Sequence, residues 1–330
     1  MRLQKSANEI SAYRNDLMVF AALGIFLMHV ICENMLNFFP ALDKVLVMYG
    51  STGVDIFLFV SGMGCFCSLS KSSENQIKWT ARHFLKVYIP YLLITVCFLP
   101  ALPVDSIWDV LLKLSGLYFW VRGNDGTWFV PFIMLMYLLA PQLYKLFNQK
   151  TEKNSKKAFG CVLLISIVAI LVFELLFPAY FELVGIGLSR IPSFIVGMWL
   201  GYLIKHNKKL DIKYILLFTA LAVVELVSDF PDESFACLIL KSCRSFVIMY
   251  VELWLFNWGR KALKKVKFPE KNIFSKITLE FYLIHILIMN AARVYQWNWK
   301  DYYTVAFFLL TLLLSFGIKR ITEHIYTKVM

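Results

Sequence analysis

Charge is scarce in this sequence. Asp, Glu, Lys and Arg make up 17% of its 330 residues, whereas 59% are hydrophobic, a balance unlike that of a water-soluble domain, where about a quarter is charged. Only five histidines occur, none spaced with cysteines or carboxylates as metal ligands are. C-x-x-C pairs are absent. The seven cysteines (Cys32, Cys65, Cys67, Cys97, Cys161, Cys237 and Cys243) all fall inside apolar stretches, so they read as small buried hydrophobes, and neither a disulfide scaffold nor structural zinc is expected. Also missing are a GxGxxG turn, a Walker loop, an HExxH helix, a G-x-S-x-G elbow, any internal repeat and any low-complexity tract. With them go the common signatures of dinucleotide, phosphate-loop, metalloprotease and serine-hydrolase chemistry.

Long apolar runs fill the space those absences leave. They lie at about 14–32, 45–69, 85–104, 128–147, 158–178, 186–204, 212–228, 235–258, 273–293 and 302–320, and mean hydropathy is +0.64. A bilayer crossing takes about 20 mostly apolar residues. The expected fold is therefore all-α, a polytopic integral membrane bundle of about ten transmembrane helices in a single domain over 1–330. The stretch 107–121 is shorter and carries Asp109 and Lys113, which suits an interfacial or re-entrant helix. No small-residue cleavage site follows the first run, so 14–32 reads as a retained span.

The net charge of +12 is distributed unevenly. Lysines and arginines gather in alternate connections: Arg2, Lys5 and Arg14; Lys71, Lys78, Arg82 and Lys86; Lys145 to Lys157; Lys205 to Lys213; Arg260 to Lys276; and Lys319, Arg320 and Lys328. The intervening loops hold few cations and contain Asp229, Asp232 and Glu233. By the positive-inside bias both termini face the cytoplasm of a multi-pass cell-membrane protein. The basic surplus is thus a topology signal, with an anionic cytosolic ligand or anionic lipid as a secondary reading. Nucleic-acid binding is not expected, since no basic face alternates with exposed aromatics.

Ionisable groups inside apolar spans cost several kcal/mol unless paired or hydrated, which marks them as candidate functional groups. They are Asp16, His29, Asp55, Glu174, Arg190, Glu225, Lys241, Arg244, Glu252, Glu280 and His285. His29, Glu174, Arg190, Glu225, Lys241 and Arg244 fall in the outward halves of their spans, as a polar cavity opening outward requires. The structural alternative pairs Glu174 or Glu225 with Lys241, Arg244 or Arg190 to lock helices together. Imidazole alone can take and return a proton near neutral pH, so His29 stands apart. Arg14 precedes it by 15 residues, about 22 Å along a helix and about 60° around it. One groove could hold an anionic head group at Arg14 and a reactive end at His29. His83, His206 and His324 lie in basic or interfacial segments and read as solvated. Ser61, Gly62 and Gly64 read as a close helix-packing face.

Six blocks, in order, resemble the integral membrane acyltransferase-3 family: RNDLMVFAALGIFLMHV (14–30), GVDIFLFVSG (53–62), RHFLKVYIPY (82–91), WFVPFIMLMYLLAP (128–141), RIPSFIVGMWLG (190–201) and LEFYLIHI (279–286). The resemblance implies transfer of an acyl group, commonly acetyl, from cytosolic acyl-CoA as co-substrate to a cell-surface or lipid-linked carbohydrate, with no bound cofactor or metal. It implies a catalytic site at His29 with Arg14 and Asp55. Arg190, Lys241, Arg244, Glu280 and His285 are then substrate or oxyanion candidates, and Arg14, Arg82 and Lys86 candidates for the CoA phosphates. One position departs: the family arginine nearer the histidine is here Met18, and Arg14 lies one turn earlier on the same side. A transporter or flippase for a glycan or anionic metabolite is the competing reading. Against it stand the lack of an inverted repeat and of two spans broken at matching positions. A structural membrane subunit without activity is a third.

Overall fold

The computed structural model describes residues 7–102, 104–231, 234–262, 273–297 and 303–329. Lys264, Lys265, Lys267, Lys271, Asp232 and Glu233, counted above in the charge pattern, lie outside these residues, as do Arg2 and Lys5. Every apolar run is helical. In chain order the helices are α1 (Ala7–Ala12), α2 (Arg14–Cys32), α3 (Pro40–Gly50), α4 (Gly53–Lys71), α5 (Gln76–Phe98), α6 (Ile107–Ser115), α7 (Tyr118–Arg122) and α8 (Phe129–Phe147). They continue with α9 (Glu152–Leu176), α10 (Pro178–Leu188), α11 (Ile191–Lys205), α12 (Ile212–Val227), α13 (Phe235–Ala262), α14 (Thr278–Val294) and α15 (Tyr303–Val329). The protein is an all-α polytopic membrane bundle.

Seven of the ten expected spans are long and apolar enough to cross a bilayer among the described residues. The other three differ for visible reasons. Helices α12 and α14 have 16 and 17 residues, a little under a full crossing, and α13 carries Lys241, Arg244 and Glu252.

Two spans are broken, which corrects the expectation of none. The run 45–69 divides into α3 and α4 at Ser51 and Thr52, and the run 186–204 divides into α10 and α11 at Ser189 and Arg190. The two breaks match: each first half has 11 residues and opens on a proline, Pro40 or Pro178, whose fixed φ and missing N–H suit the first helical turn. At the first break Ser51 Oγ donates to the Met48 carbonyl at 2.8 Å, whereas at the second the buried Ser189 Oγ has no hydrogen-bond partner among the described residues. Helices α4 and α11 form the centre, with twelve buried residues each. They meet on glycine. A Cβ on Gly62 would collide with the Phe194 carbonyl, and one on Gly197 with the Phe59 carbonyl, so only bare backbone permits this approach. Gly64, expected on the same face, instead faces the Arg14 guanidinium.

The periphery is inverted relative to a soluble protein. Helix α9 buries only Ser155, Phe159 and Ile170, while Leu164, Ile165, Leu175 and Leu176 are more than 60% exposed, an arrangement that hydrocarbon solvates and water does not. The 107–122 stretch forms a cap of two short helices, with Lys113 buried against Asp125 (2.8 Å) and over the Tyr118 ring (3.6 Å). Asp109 pairs with Arg122 (2.9 Å); the Ser106 hydroxyl, and then Arg122, hold its carboxyl below the usual range.

Candidate active site

His29 lies in the last turn of α2 and His285 sits near the middle of α14, and the two rings meet: His29 Nδ1 lies 3.0 Å from His285 Nε2. The far side of His285 fixes the protons. Its Nδ1 is 2.9 Å from the Phe281 carbonyl, and a carbonyl can only accept, so Nδ1 carries the hydrogen and Nε2 presents its lone pair. His29 Nδ1 must then donate. That leaves His29 Nε2 with a lone pair of its own, directed away from the dyad. His285 is fully buried, ringed by Phe26, Phe281 and Tyr282, so its orientation is fixed by packing as well as by the carbonyl.

His29 lines a cavity of about 400 Å³ together with Ser51, Asn124, Glu182, Arg190 and Lys241. Ser51 and Arg190 come from the two helix breaks, so both breaks face this cavity. A second, mainly apolar cavity of about 100 Å³ lies on the other side of Ile25, Val54 and Tyr282, which wall both. Met18, Val87 and Tyr137 line its far end. There the cations gather. Arg82, Lys319 and Arg14 all act electrostatically on Lys86, and Arg14 on Tyr137. Lys319 was not a sequence candidate for this cluster. It comes from α15, far along the chain, and its basic neighbourhood gave only a topology signal.

Asp55 sits apart from the histidines, at the junction of α4, α11 and α13. It is fully buried and accepts from Arg190, Ser193 Oγ (2.6 Å), Ser242 Oγ (3.0 Å) and Ser245 Oγ (2.9 Å). Its four partners occupy it completely, so it reaches the cavity only through Arg190. Arg190 itself keeps a buried Nε with no hydrogen-bond partner among the described residues. Arg244 is one step back as well, pairing with Glu225 and donating to Ser51 Oγ at 2.9 Å. That pair is the helix lock expected of Glu225. Glu174 locks differently, accepting from the Phe235 backbone N–H (3.0 Å). Glu280 belongs to the cation end, paired with Lys319 at 3.2 Å. His83 is not simply solvated: its ring stacks on Trp79 at 3.8 Å and bonds the Trp79 carbonyl.

A multi-span helix bundle with a histidine dyad at the wall of a polar cavity describes a membrane-embedded protein with a buried candidate base. Residues 17–320 match the acyltransferase domain family, and the chain belongs to it. The match starts three residues after Arg14, so the arginine read as standing in for the residue at Met18 is outside it. No curated protein and no solved structure gives a match.

Proposed function

We propose that the protein moves an acyl group, acetyl in the first instance, from cytosolic acyl-CoA to a hydroxyl of a cell-surface or lipid-linked carbohydrate. The observation that carries this reading is the hydrogen-bonded series from the Phe281 carbonyl through His285 to His29, which leaves a base on the wall of the polar cavity. His29 Nε2 takes the acceptor hydroxyl proton as that oxygen attacks the thioester carbon. Arg190 stands beside the carbonyl oxygen as negative charge develops there. Collapse breaks the C–S bond, and His29 returns the proton to the thiolate, giving the ester and free CoA thiol.

The CoA phosphates are held by Arg14, Arg82, Lys86 and Lys319, on the side that positive-inside bias assigns to the cytoplasm. The pantetheine arm enters the cavity lined by Met18, Val87 and Tyr137, whose mainly apolar wall suits a thin chain. Asp55 keeps Arg190 in place without touching substrate.

The test is incubation of membranes holding the full chain with acetyl-CoA labelled in its acetyl group. Label should appear covalently in the glycan fraction as alkali-labile ester, and Lys86→Ala should raise the donor KM while leaving the acceptor KM unchanged, since phosphate binding is made in ground and transition states alike. Label that crosses the membrane or stays on CoA without ester formation would refute the reading and restore a transport role, which the two matched helix breaks would then serve.

A further inference from the structure

The ends of α2 and α14 meet through the Glu33–Arg293 ion pair, about one turn past His29 on α2 and about two and a half turns past His285 on α14, and both finish the same way. Asn34 and Gln296 adopt left-handed backbone (φ 54° and 52°), with Met35 N–H bonded to the Val30 carbonyl (2.8 Å) and Trp297 N–H to the Ala292 carbonyl (2.9 Å). These are Schellman closures, in which the left-handed position normally belongs to glycine. Asparagine tolerates that conformation; glutamine does so at a cost, since it lacks the short polar side chain that bonds locally. The same closure ends α11 at Asn207 (φ 50°), so the closure alone marks no site; what sets this end apart is that the costlier glutamine is retained at Gln296.

Both amides line one pocket of about 340 Å³, with Glu33 and Arg293. Glu33 and Arg293 pair with each other across it, and both charges are felt at His29. Beside the pocket, Tyr295 and Trp297 stack at 6.3 Å and 24°, and each is 55% exposed. Flat aromatic faces next to planar hydrogen-bonding groups (two amides, a carboxylate and a guanidinium) are complementary to a pyranose ring. Its C–H face meets the aromatic ring, and its equatorial hydroxyls meet the planar polar groups.

We infer that this pocket, with the Tyr295–Trp297 platform, is a saccharide-binding subsite that presents the acceptor glycan to His29. The inference rests on the acceptor being a carbohydrate. Aromatics at a membrane interface also anchor helices, and the experiment separates the two roles.

Oligosaccharides released by mild acid from the surface polysaccharide of the source cells are the probe. Saturation-transfer NMR on the full chain in nanodiscs should show sugar protons in contact with the protein, and Trp297→Ala or Tyr295→Ala should weaken that binding about two- to tenfold, the range of one aromatic contact. Trp297→Phe should recover part of it. Gln296→Gly should weaken sugar binding while raising the melting temperature, an opposite pair of effects that a purely structural residue does not produce. Sugar binding that is absent in the wild type, or equal in all four variants, overturns the subsite, as does a loss of melting temperature in the alanine variants with sugar binding retained. If the oligosaccharide binds as described and yet no label passes from acetyl-CoA, the subsite stands and the acyl-transfer reading falls.

Discussion

For a single residue, His29, the placement of one proton decides whether the proposed chemistry is open to it. His29 has a defined tautomer only because His285 accepts from it, and His285 can accept only because the Phe281 carbonyl takes its other hydrogen. General-base catalysis contributes about 10² to 10⁴ in rate, so His29→Ala should lose at least that low end in kcat. His29→Gln keeps much of the size but cannot shuttle a proton; retention of more than about a tenth of wild-type turnover, outside that range, would place the base elsewhere. His285→Ala should lower kcat by about ten- to a hundredfold, the usual cost of losing an outer hydrogen-bonding partner, with donor KM unchanged. Steady-state kinetics on purified variants of equal melting temperature decides both. His29 was legible in the sequence because an imidazole within an apolar run is rare and costly. Its partnership with His285 was not, because 256 positions separate them and helix rotation is invisible to spacing on either helix alone.

At the scale of the element, α4 and α11 are held by two different means, bare glycine contact along their length and the Asp55 cluster at their shared end. The cluster is the more fragile. Removing one partner of a buried ion pair leaves an uncompensated charge in low dielectric, at a cost of about 3 to 5 kcal/mol. Asp55→Asn should therefore lower the melting temperature sharply in detergent, and adding Arg190→Gln should restore part of it while activity stays lost. A double variant no more stable than Asp55→Asn alone would show that the serines, and not the charge pair, hold the junction. All ten apolar segments were legible from composition. The breaks in two of them were not, because Ser51, Thr52, Ser189 and Arg190 are too few to interrupt an apolar average. Asp55 was legible as a buried charge and through the resemblance, yet its role as a clamp follows only from the three serines on α11 and α13 that converge on it.

At the scale of the whole molecule, contacts sort the connections into two sets. Lys205 reaches Asn148, Lys208 reaches Glu152, Lys86 lies over Tyr326 and Lys319 meets Glu280; these are the basic connections. Glu33 meets Arg293, Tyr180 meets the Trp120 carbonyl, and Glu174 meets the Phe235 N–H; these are the cation-poor ones. Alternate loops thus share an end, as an up-and-down membrane bundle demands. The contrast is sharpened because Arg122, Lys113 and Arg293 at the poor end are each neutralised by a carboxylate. The bias that retains lysine and arginine in the cytoplasm predicts the Lys86 cluster inside and the His29 cavity opening outward. Native cysteines report on this. Cys32 ends α2 at the poor end and is exposed, as is Cys97 near the end of α5. An impermeant thiol reagent applied to intact cells should label the wild type, and Cys32→Ser with Cys97→Ser should abolish most of that signal. In this doubly substituted background Asp229→Cys should restore labelling, whereas Asn154→Cys should label only after the membrane is opened. Labelling of Asn154→Cys from outside would invert the bundle, place the cation cluster away from the cytosolic CoA pool, and remove the donor route through the Met18 cavity whatever the histidines do.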